Sequence, residues 1–131
     1  MSRRELREHI FKLLFRIEFN SLQEMPEQER FYFEDINETD AGDEAYISSK
    51  YQKIVDRLEQ IDEQINEKAE NWDTVRMGKV DLTILRLAVY EILYDEDIPA
   101  GVAINEAVEL AKKFGQDASS AFVNGILAKF T

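Results

Sequence analysis

The sequence predicts an all-α protein, and three observations lead to this fold class. Apolar residues recur at spacings of three and four along most of the chain, which is the period of an amphipathic helix. Only two prolines and five glycines interrupt the 131 residues. No stretch shows the apolar–polar alternation of a half-buried strand. We therefore expect one compact all-helical domain over 1–131.

The first predicted helix runs from Arg3 to Phe19 and has two apolar faces. One face belongs to the core, and its residues are Leu6, Ile10, Leu13, Leu14 and Ile17. Three phenylalanines lie on the opposite face, namely Phe11, Phe15 and Phe19. Either a second layer of the protein covers these rings, or they belong to a surface that a partner covers.

The segment between the first two long helices is acidic and contains Pro26 and Gly42. We expect a loop there, with one short helix or turn around Phe31–Phe33. A second long helix begins at Asp43 or Glu44. Its apolar residues follow a 4-3-4-3-4 spacing: Ile47, Tyr51, Ile54, Leu58, Ile61 and Ile65. This spacing is compatible with a coiled coil, but its length is more typical of one helix in an intramolecular bundle.

The central helix is predicted in the second half of the chain. Asn71–Thr74 first supply capping residues for a short helical turn. The segment Val80–Leu93 is then apolar on nearly all sides, so we expect other helices to surround it. Ile98–Gly101 breaks this helix.

Two further helices complete the predicted fold. One runs from Val102 to Phe114, with Gly115 in the position of a C-terminal cap. The last begins after Asp117 or Ser119 and continues to the end of the chain.

Two asparagines lie among apolar residues of these last helices, Asn105 in the first and Asn124 in the second. A buried amide costs stability unless it is hydrogen-bonded. We therefore expect both side chains to tie helix ends together rather than to contact a ligand.

Composition excludes several classes of chemistry. The absence of cysteine removes disulfides, thiolate metal sites and cysteine nucleophiles. One histidine, His9, is too few for a histidine-rich metal site. The five glycines are isolated, so no phosphate-binding loop can be drawn. We expect no cofactor, no metal and no catalytic activity.

Charge is unevenly distributed along the chain, whose formal net charge is −11. Residues 1–16 carry five basic side chains against two carboxylates, whereas residues 17–49 carry ten carboxylates against Arg30. A basic N-terminal arm on an acidic protein indicates either a contact for a polyanion or a solvated helix face. No apolar run is long enough to span a membrane, and the N-terminus lacks the pattern of a signal peptide, so we expect a cytoplasmic protein.

Specific sequence strings occur near both ends of the chain. The N-terminal region contains Arg3-Arg4, Leu6-Arg7-Glu8 and Leu14-Phe15. The C-terminal half contains the long strings Leu85–Glu91, Ile98-Pro99, Val102–Gly115 and Phe122–Leu127. These strings resemble the family of the bacterial transcription antitermination factor NusB. Residues 20–70 match that family mainly through their helix pattern.

The resemblance implies a NusB-like fold of two packed helical sub-bundles, at about 1–72 and 73–131, and a role in transcription antitermination. It implies that the protein and ribosomal protein NusE of the small subunit bind the single-stranded boxA element of ribosomal RNA leaders. That complex joins RNA polymerase and suppresses premature termination. The alternative function is that of an acidic helical adaptor or homodimer without RNA affinity, and a homodimer of the free protein is also possible.

The resemblance and the charge pattern together predict an RNA site. Its basic part is expected at Arg3, Arg4 and Arg7, which match the arginine-rich motif of the family. The amides of Ser119 and Ser120 and the ring of Phe122 are expected to complete it, since helix N-termini attract phosphate and aromatic rings stack bases.

The NusE surface is predicted on outward-facing Phe11 and Phe15, together with Asp81 at the start of the central helix. Two departures from the family pattern affect these sites. Residues 118–121 carry no charge, so a charged contact is missing there, and Phe15 stands where the family usually has tyrosine.

Overall fold

The computed structural model describes residues 1–36, 40–70 and 72–131. Within these ranges the chain forms seven α-helices and three short 3-10 segments, with no β-strand, which confirms the all-α prediction. The chain divides into two compact units, Met1–Asp56 and Arg57–Thr131. The division lies earlier than the boundary expected near residue 72. Across the described ranges, no helix combines the length and apolar character that a membrane crossing requires.

In the first unit, helix α1 (Arg3–Phe15) has a well-formed N-terminus. The Ser2 hydroxyl accepts a hydrogen bond from the Glu5 amide at 3.1 Å, and the Glu5 carboxylate accepts one from the Ser2 amide at 3.3 Å. This capping box satisfies two amides that the helix itself leaves unpaired. The predicted core face is buried most fully at Ile10, Leu13 and Leu14. A 3-10 turn, Arg16–Glu18, replaces the predicted last turn of this helix.

Helix α2 (Met25–Asp35) is longer than the predicted short helix or turn. The reason is Pro26, which lies in the first turn of the helix rather than in a loop. Proline is favourable there because the first-turn amides have no partner within the helix and the ring already fixes a helical φ. Of the aromatic cluster on this helix, Tyr32 is buried and Phe31 is exposed.

The predicted second long helix is divided in two, which corrects the sequence interpretation. Helix α3 (Ala41–Asp56) belongs to the first unit, where it packs against α1, and helix α4 (Leu58–Lys68) belongs to the second. Between them Arg57 leaves the helical region, with φ −113° and ψ 12°. Its guanidinium lies 4.2 Å from the ring centre of Tyr94. The apolar stripe continues across this break, so spacing alone did not reveal it.

In the second unit, helix α5 (Lys79–Tyr94) is central, as predicted. Packed against it are α4, α6 (Ala100–Phe114) and α7 (Ser119–Leu127). Nine of its residues are buried: Leu82, Thr83, Ile84, Leu85, Leu87, Ala88, Val89, Tyr90 and Glu91. Leu93, which was included in the apolar segment, is 41% exposed near the end of the helix.

A two-pronged ion pair joins α4 to α5. The Arg86 guanidinium donates from Nε to Asp62 Oδ1 at 2.9 Å and from a terminal nitrogen to Asp62 Oδ2 at 2.8 Å. Both side chains are mostly shielded from solvent. Because two parallel hydrogen bonds fix the angle between the groups as well as their distance, the pair sets the register of the two helices.

In the turn between α6 and α7, the Ser119 side chain lies close to the backbone of Gly115. The Gly115 amide donates to the Ala111 carbonyl at 2.9 Å, which places it at the predicted C-terminal cap. Its φ of −92° is accessible to any residue, so conformation does not require glycine. The available space does require glycine, because a Cβ here would lie 2.6 Å from the Ser119 side chain and 2.7 Å from the Ala111 carbonyl oxygen.

The short turn before α5 is capped as the sequence predicts at one of its residues. Asp73 caps the 3-10 turn Thr74–Arg76 by accepting a hydrogen bond from the Arg76 amide. Asn71, which belongs to the same predicted cap, lies outside the described residues.

This geometry predicts opposite effects for two glycine substitutions. Gly115→Ala is expected to destabilise the protein by about 1–3 kcal/mol, the usual cost of overpacking, since the Ala111 carbonyl is backbone and yields little. Gly125→Ala is the matched control within α7, where a Cβ meets nothing within 4 Å. It should stabilise the protein by about 0.5–1 kcal/mol, because alanine loses less backbone freedom in a helix. Urea unfolding followed by circular dichroism measures both changes, and equal effects would contradict the steric account.

Candidate nucleic-acid and partner interfaces

Arg3 and Arg4 lie exposed on the first turn of α1. The N-terminus of a helix already carries partial positive charge from its unpaired amides, so helix stability favours acidic residues there. Two arginines at this position add to that charge instead. Glu5 offsets part of this charge, because hydrogen bonds from Ser2 lower its pKa and keep its carboxylate ionised in the capping box, but two arginines face this one acid. The start of α1 is therefore an anion-attracting surface of the first unit.

Other basic side chains near the start of the chain have interactions of their own, as Arg4 also does. Arg7 is 8% exposed and interacts with other groups of the chain, so its burial differs from the exposure of Arg3 and Arg4. The RNA contact expected at Arg7 stays a prediction. Lys12 pairs with Glu8 at 3.5 Å. Arg16 donates to the Gln28 carbonyl at 3.2 Å, and this links the 3-10 turn to α2.

His9 adds little charge to this surface. Its Nδ1 lies 2.7 Å from the hydroxyl of the buried Tyr32. Burial lowers the pKa of His9, and the positive charge of Lys12 lowers it further, against smaller opposite effects of Glu8 and Glu5. Burial also raises the pKa of Tyr32 to about 12. The pair is therefore neutral at physiological pH and joins α1 to α2 as a structural contact.

Phe11, Phe15 and Phe19 form a row that runs from the core to the surface of the first unit. Phe11 stacks on Phe15 with ring centres 6.1 Å apart, and Phe15 meets the edge of Phe19 at 5.2 Å. Phe11 is 3% exposed, Phe15 is half-buried and Phe19 is 63% exposed. The expectation that Phe11 faces outward is wrong, because its ring is buried. Phe15 and Phe19 form the part of the row that a partner can reach.

At the start of α7, the polar groups of Ser119 are used within the turn. Its amide donates to the Gln116 carbonyl at 3.0 Å, and its hydroxyl accepts from the Gln116 amide at 2.9 Å. The side chain is 4% exposed because Gly115 lets it approach closely. The expectation that the Ser119 amide is available to phosphate is therefore wrong. Ser120 is half-buried and Phe122 is half-buried on the same helix.

Ser120 lines an open polar groove between α6 and α7, with a volume of about 410 Å³. The other lining residues are Asn105, Val108, Glu109, Lys112, Ala121 and Asn124. Both asparagines are exposed, which corrects the expectation that they are buried ties between helix ends. Each was assigned to the core because of its apolar neighbours in sequence, yet its side chain falls on the outer face of its helix.

Two residues of the second unit complete the list of candidates. Phe122 contacts the ring of Trp72, whose centre is 5.9 Å away, and this neighbour was not predicted to have a functional role. Asp81 lies half-buried in the first turn of α5, where a carboxylate also stabilises the helix N-terminus. Among the described residues, no group of three or more histidine, cysteine or acidic side chains is arranged to hold a metal ion.

Comparisons with known proteins give a consistent result. The model of the NusB family matches residues 4–131. The transcription antitermination protein NusB of Agathobacter rectalis is 49% identical over 130 residues, which cover 99% of each chain. A solved structure of T. maritima NusB has a TM-score of 0.88 at 37% identity and covers 99% of this chain and 90% of its own. A solved structure of antitermination factors NusB and NusE in complex with dsRNA has a TM-score of 0.85 at 26% identity. The match covers 98% of this chain and 94% of the chain in that structure.

The burial of Arg7 predicts that two neighbouring arginines respond differently to truncation. Arg7→Ala is expected to lower the free energy of unfolding by about 1–3 kcal/mol, because its partners lose a buried, charged group. Arg3→Ala should change it by less than about 0.5 kcal/mol, as is usual for an exposed side chain. Chemical denaturation measures both values. If Arg7→Ala left stability unchanged, a structural role for Arg7 would be excluded.

Proposed function

The chain belongs to the NusB family, and from that premise we propose that it is a transcription antitermination factor that binds boxA-type single-stranded RNA together with ribosomal protein NusE. The main support for an RNA contact is that Arg3 and Arg4 are exposed at the positive end of α1. The function consists of binding and assembly rather than catalysis. It takes place in the cytoplasm, at RNA polymerase, where the complex suppresses premature termination.

Arg3 and Arg4 provide phosphate contacts in this proposal. Arginine is suited to phosphate because its planar guanidinium donates in pairs. The capping box keeps the first turn of α1 formed, so both side chains project from a fixed backbone. Little order is then lost from the backbone when RNA binds. Arg7 holds the helix in place from the buried side.

The second unit contributes contacts of a different kind. Phe122 offers an aromatic ring on which an unstacked base can lie. Ser120 and the exposed amides of Asn105 and Asn124 line the polar groove and provide hydrogen-bond donors and acceptors. Such groups can read base edges, which phosphate contacts alone cannot do.

For NusE, the exposed end of the phenylalanine row is the proposed apolar contact. Aromatic rings at the centre of an interface often supply most of its binding energy. Phe15 and Phe19 provide such rings on the first unit, and the stacking of Phe15 on buried Phe11 makes the surface rigid. Asp81 on the second unit offers a carboxylate to a basic ribosomal protein.

The charge of the protein explains why RNA binding and NusE binding belong together. A net charge of −11 repels RNA over about one Debye length, roughly 8 Å at physiological salt. Arg3 and Arg4 offset this repulsion only locally. A basic partner reduces it further and adds phosphate contacts of its own. By linkage, RNA then strengthens the binding of NusE by the same factor.

The RNA proposal predicts a loss of affinity and of salt dependence in an Arg3→Ala/Arg4→Ala double variant. Two fewer neutralised phosphates should reduce the slope of log K against log salt by about 1.4, at about 0.7 per phosphate for a single strand. Titration of a fluorescent boxA-like RNA with and without NusE, at several salt concentrations, measures this slope. Lys53→Ala/Lys68→Ala is the control, because it removes the same charge elsewhere. An equal loss in both double variants would show a general charge effect and contradict the assignment.

The NusE proposal predicts that Phe19→Asp weakens the heterodimer by about 2 kcal/mol or more, in the range of interface hot spots. Because Phe19 is 63% exposed, its replacement should leave the melting temperature nearly unchanged. Calorimetric titration with NusE measures the binding. Phe31→Asp is a matched control, since Phe31 is an exposed phenylalanine on α2 of the same unit. Wild-type binding by Phe19→Asp would exclude this surface as the NusE contact.

A further inference from the structure

Trp72 and Phe122 form an aromatic pair on the second unit. Their ring centres are 5.9 Å apart and their planes meet at 82°, so the edge of one ring contacts the face of the other. Trp72 is 49% exposed. A large aromatic side chain normally contributes to stability through burial, and about half of that contribution is forgone here. The exposed half of this ring therefore calls for an explanation beyond the fold.

The loop that carries Trp72 is held in place by hydrogen bonds. The Trp72 amide donates to the Ala69 carbonyl at 3.1 Å, directly after the end of α4. The Thr74 amide donates to the Asn66 side-chain oxygen at 2.7 Å. These two bonds anchor the backbone at Trp72 and at Thr74.

The same loop contains Glu70, whose φ is 46°. This is the left-handed region, which is unfavourable for a residue with a side chain and persists where the surrounding structure imposes it. The Glu70 carboxylate also lies 3.6 Å from Lys129 Nζ, in the 3-10 turn that follows α7. This exposed ion pair is one contact between the loop and the segment that follows α7, and the ring contact itself places Trp72 beside Phe122.

The surroundings of Trp72 favour a small, flat occupant over a protein partner. A protein hot spot usually lies within a wide apolar surface that excludes water. Around this ring, Val75 is exposed and apolar, but the neighbours in the chain, Glu70, Asp73 and Arg76, are exposed and charged. A nucleobase needs only the face of one ring, and its phosphate and sugar remain in water.

We propose that Trp72 and Phe122 together form an aromatic platform for unstacked bases of single-stranded RNA. The proposal rests on the RNA-binding function proposed above and adds Trp72 as a second stacking residue. Because the two planes are nearly perpendicular, one flat base cannot stack on both faces. Because the edge of one ring already covers a face of the other, the exposed side of Trp72 is the surface that takes a base.

Trp72 also provides the means to test this proposal, since it is the one tryptophan in the 131 residues. Its fluorescence reports on this ring alone. Titration of the full-length protein with a boxA-like single-stranded RNA is expected to quench the emission as a base stacks on the indole. A second series uses the same RNA with one abasic nucleotide at each successive position. Quenching should disappear at one or two positions, although every phosphate is retained.

Substitutions separate stacking from a structural role. Trp72→Ala is expected to weaken RNA binding by about 5- to 150-fold, which is the range for the loss of one stacked base. Trp72→Leu, which keeps an apolar side chain but no ring, should show a similar loss, and Trp72→Phe should retain most of the affinity. Tyr46→Ala is the control, because Tyr46 is an aromatic residue of comparable exposure, 43%, on the first unit. Melting temperatures of all variants are measured alongside.

The outcomes distinguish this proposal from the one on which it rests. If the wild-type protein binds no RNA, alone or with NusE, the proposed function itself fails. If it binds RNA while Trp72 emission stays constant and Trp72→Leu binds as wild type, the platform is excluded and RNA binding stands. A change in Trp72 emission on adding NusE without RNA would assign the surface to a protein partner and overturn the proposal. If Trp72→Ala fails to fold, the quenching of the wild-type protein and the abasic series still show whether a base stacks on Trp72.

Discussion

The burial of α5 on nearly all sides is the constraint on which the second unit depends. A helix with nine buried residues must be surrounded, and α4, α6 and α7 surround it. The Arg86–Asp62 pair then fixes the register of α4. Since α4 and α7 both pack on α5, the loop that follows α4 and the start of α7 are brought together, and the aromatic pair lies there. The candidate RNA surface of this unit is thus a consequence of its core.

The first unit differs from the second in that its helix α1 has apolar residues on two faces. One face packs against α3 and the other is covered only in part. Exposure rises along the row from Phe11 to Phe19, so a single row of rings serves both the core and the surface. A surface that is continuous with the core is held rigid by it. Rigid aromatic surfaces bind with a smaller loss of side-chain freedom, which favours a role as an interface.

Much of this fold could be predicted from the sequence, and the exceptions have physical reasons. Helical period and the apolar α5 segment identified the helices, because burial of whole faces dominates their energy. The break at Arg57 was missed because the stripe continues through it. The exposure of Asn105 and the burial of Arg7 were missed because apolar or charged neighbours in sequence do not determine which way one side chain points. The Trp72–Phe122 contact joins residues 50 positions apart, and such pairs leave no signal in one sequence.

A strongly acidic protein that binds RNA must obtain affinity from more than charge. The exposed arginines at the start of α1 are few, and their contribution falls as salt rises. Stacking of a base on an aromatic ring does not depend on net charge, and a basic partner supplies positive charge that this chain lacks. In the proposed function, charge mainly positions the strand, stacking retains it, and the partner protein determines when binding is strong. In this arrangement the acidic surface suppresses RNA binding by the free protein, which makes assembly with the partner the controlling step.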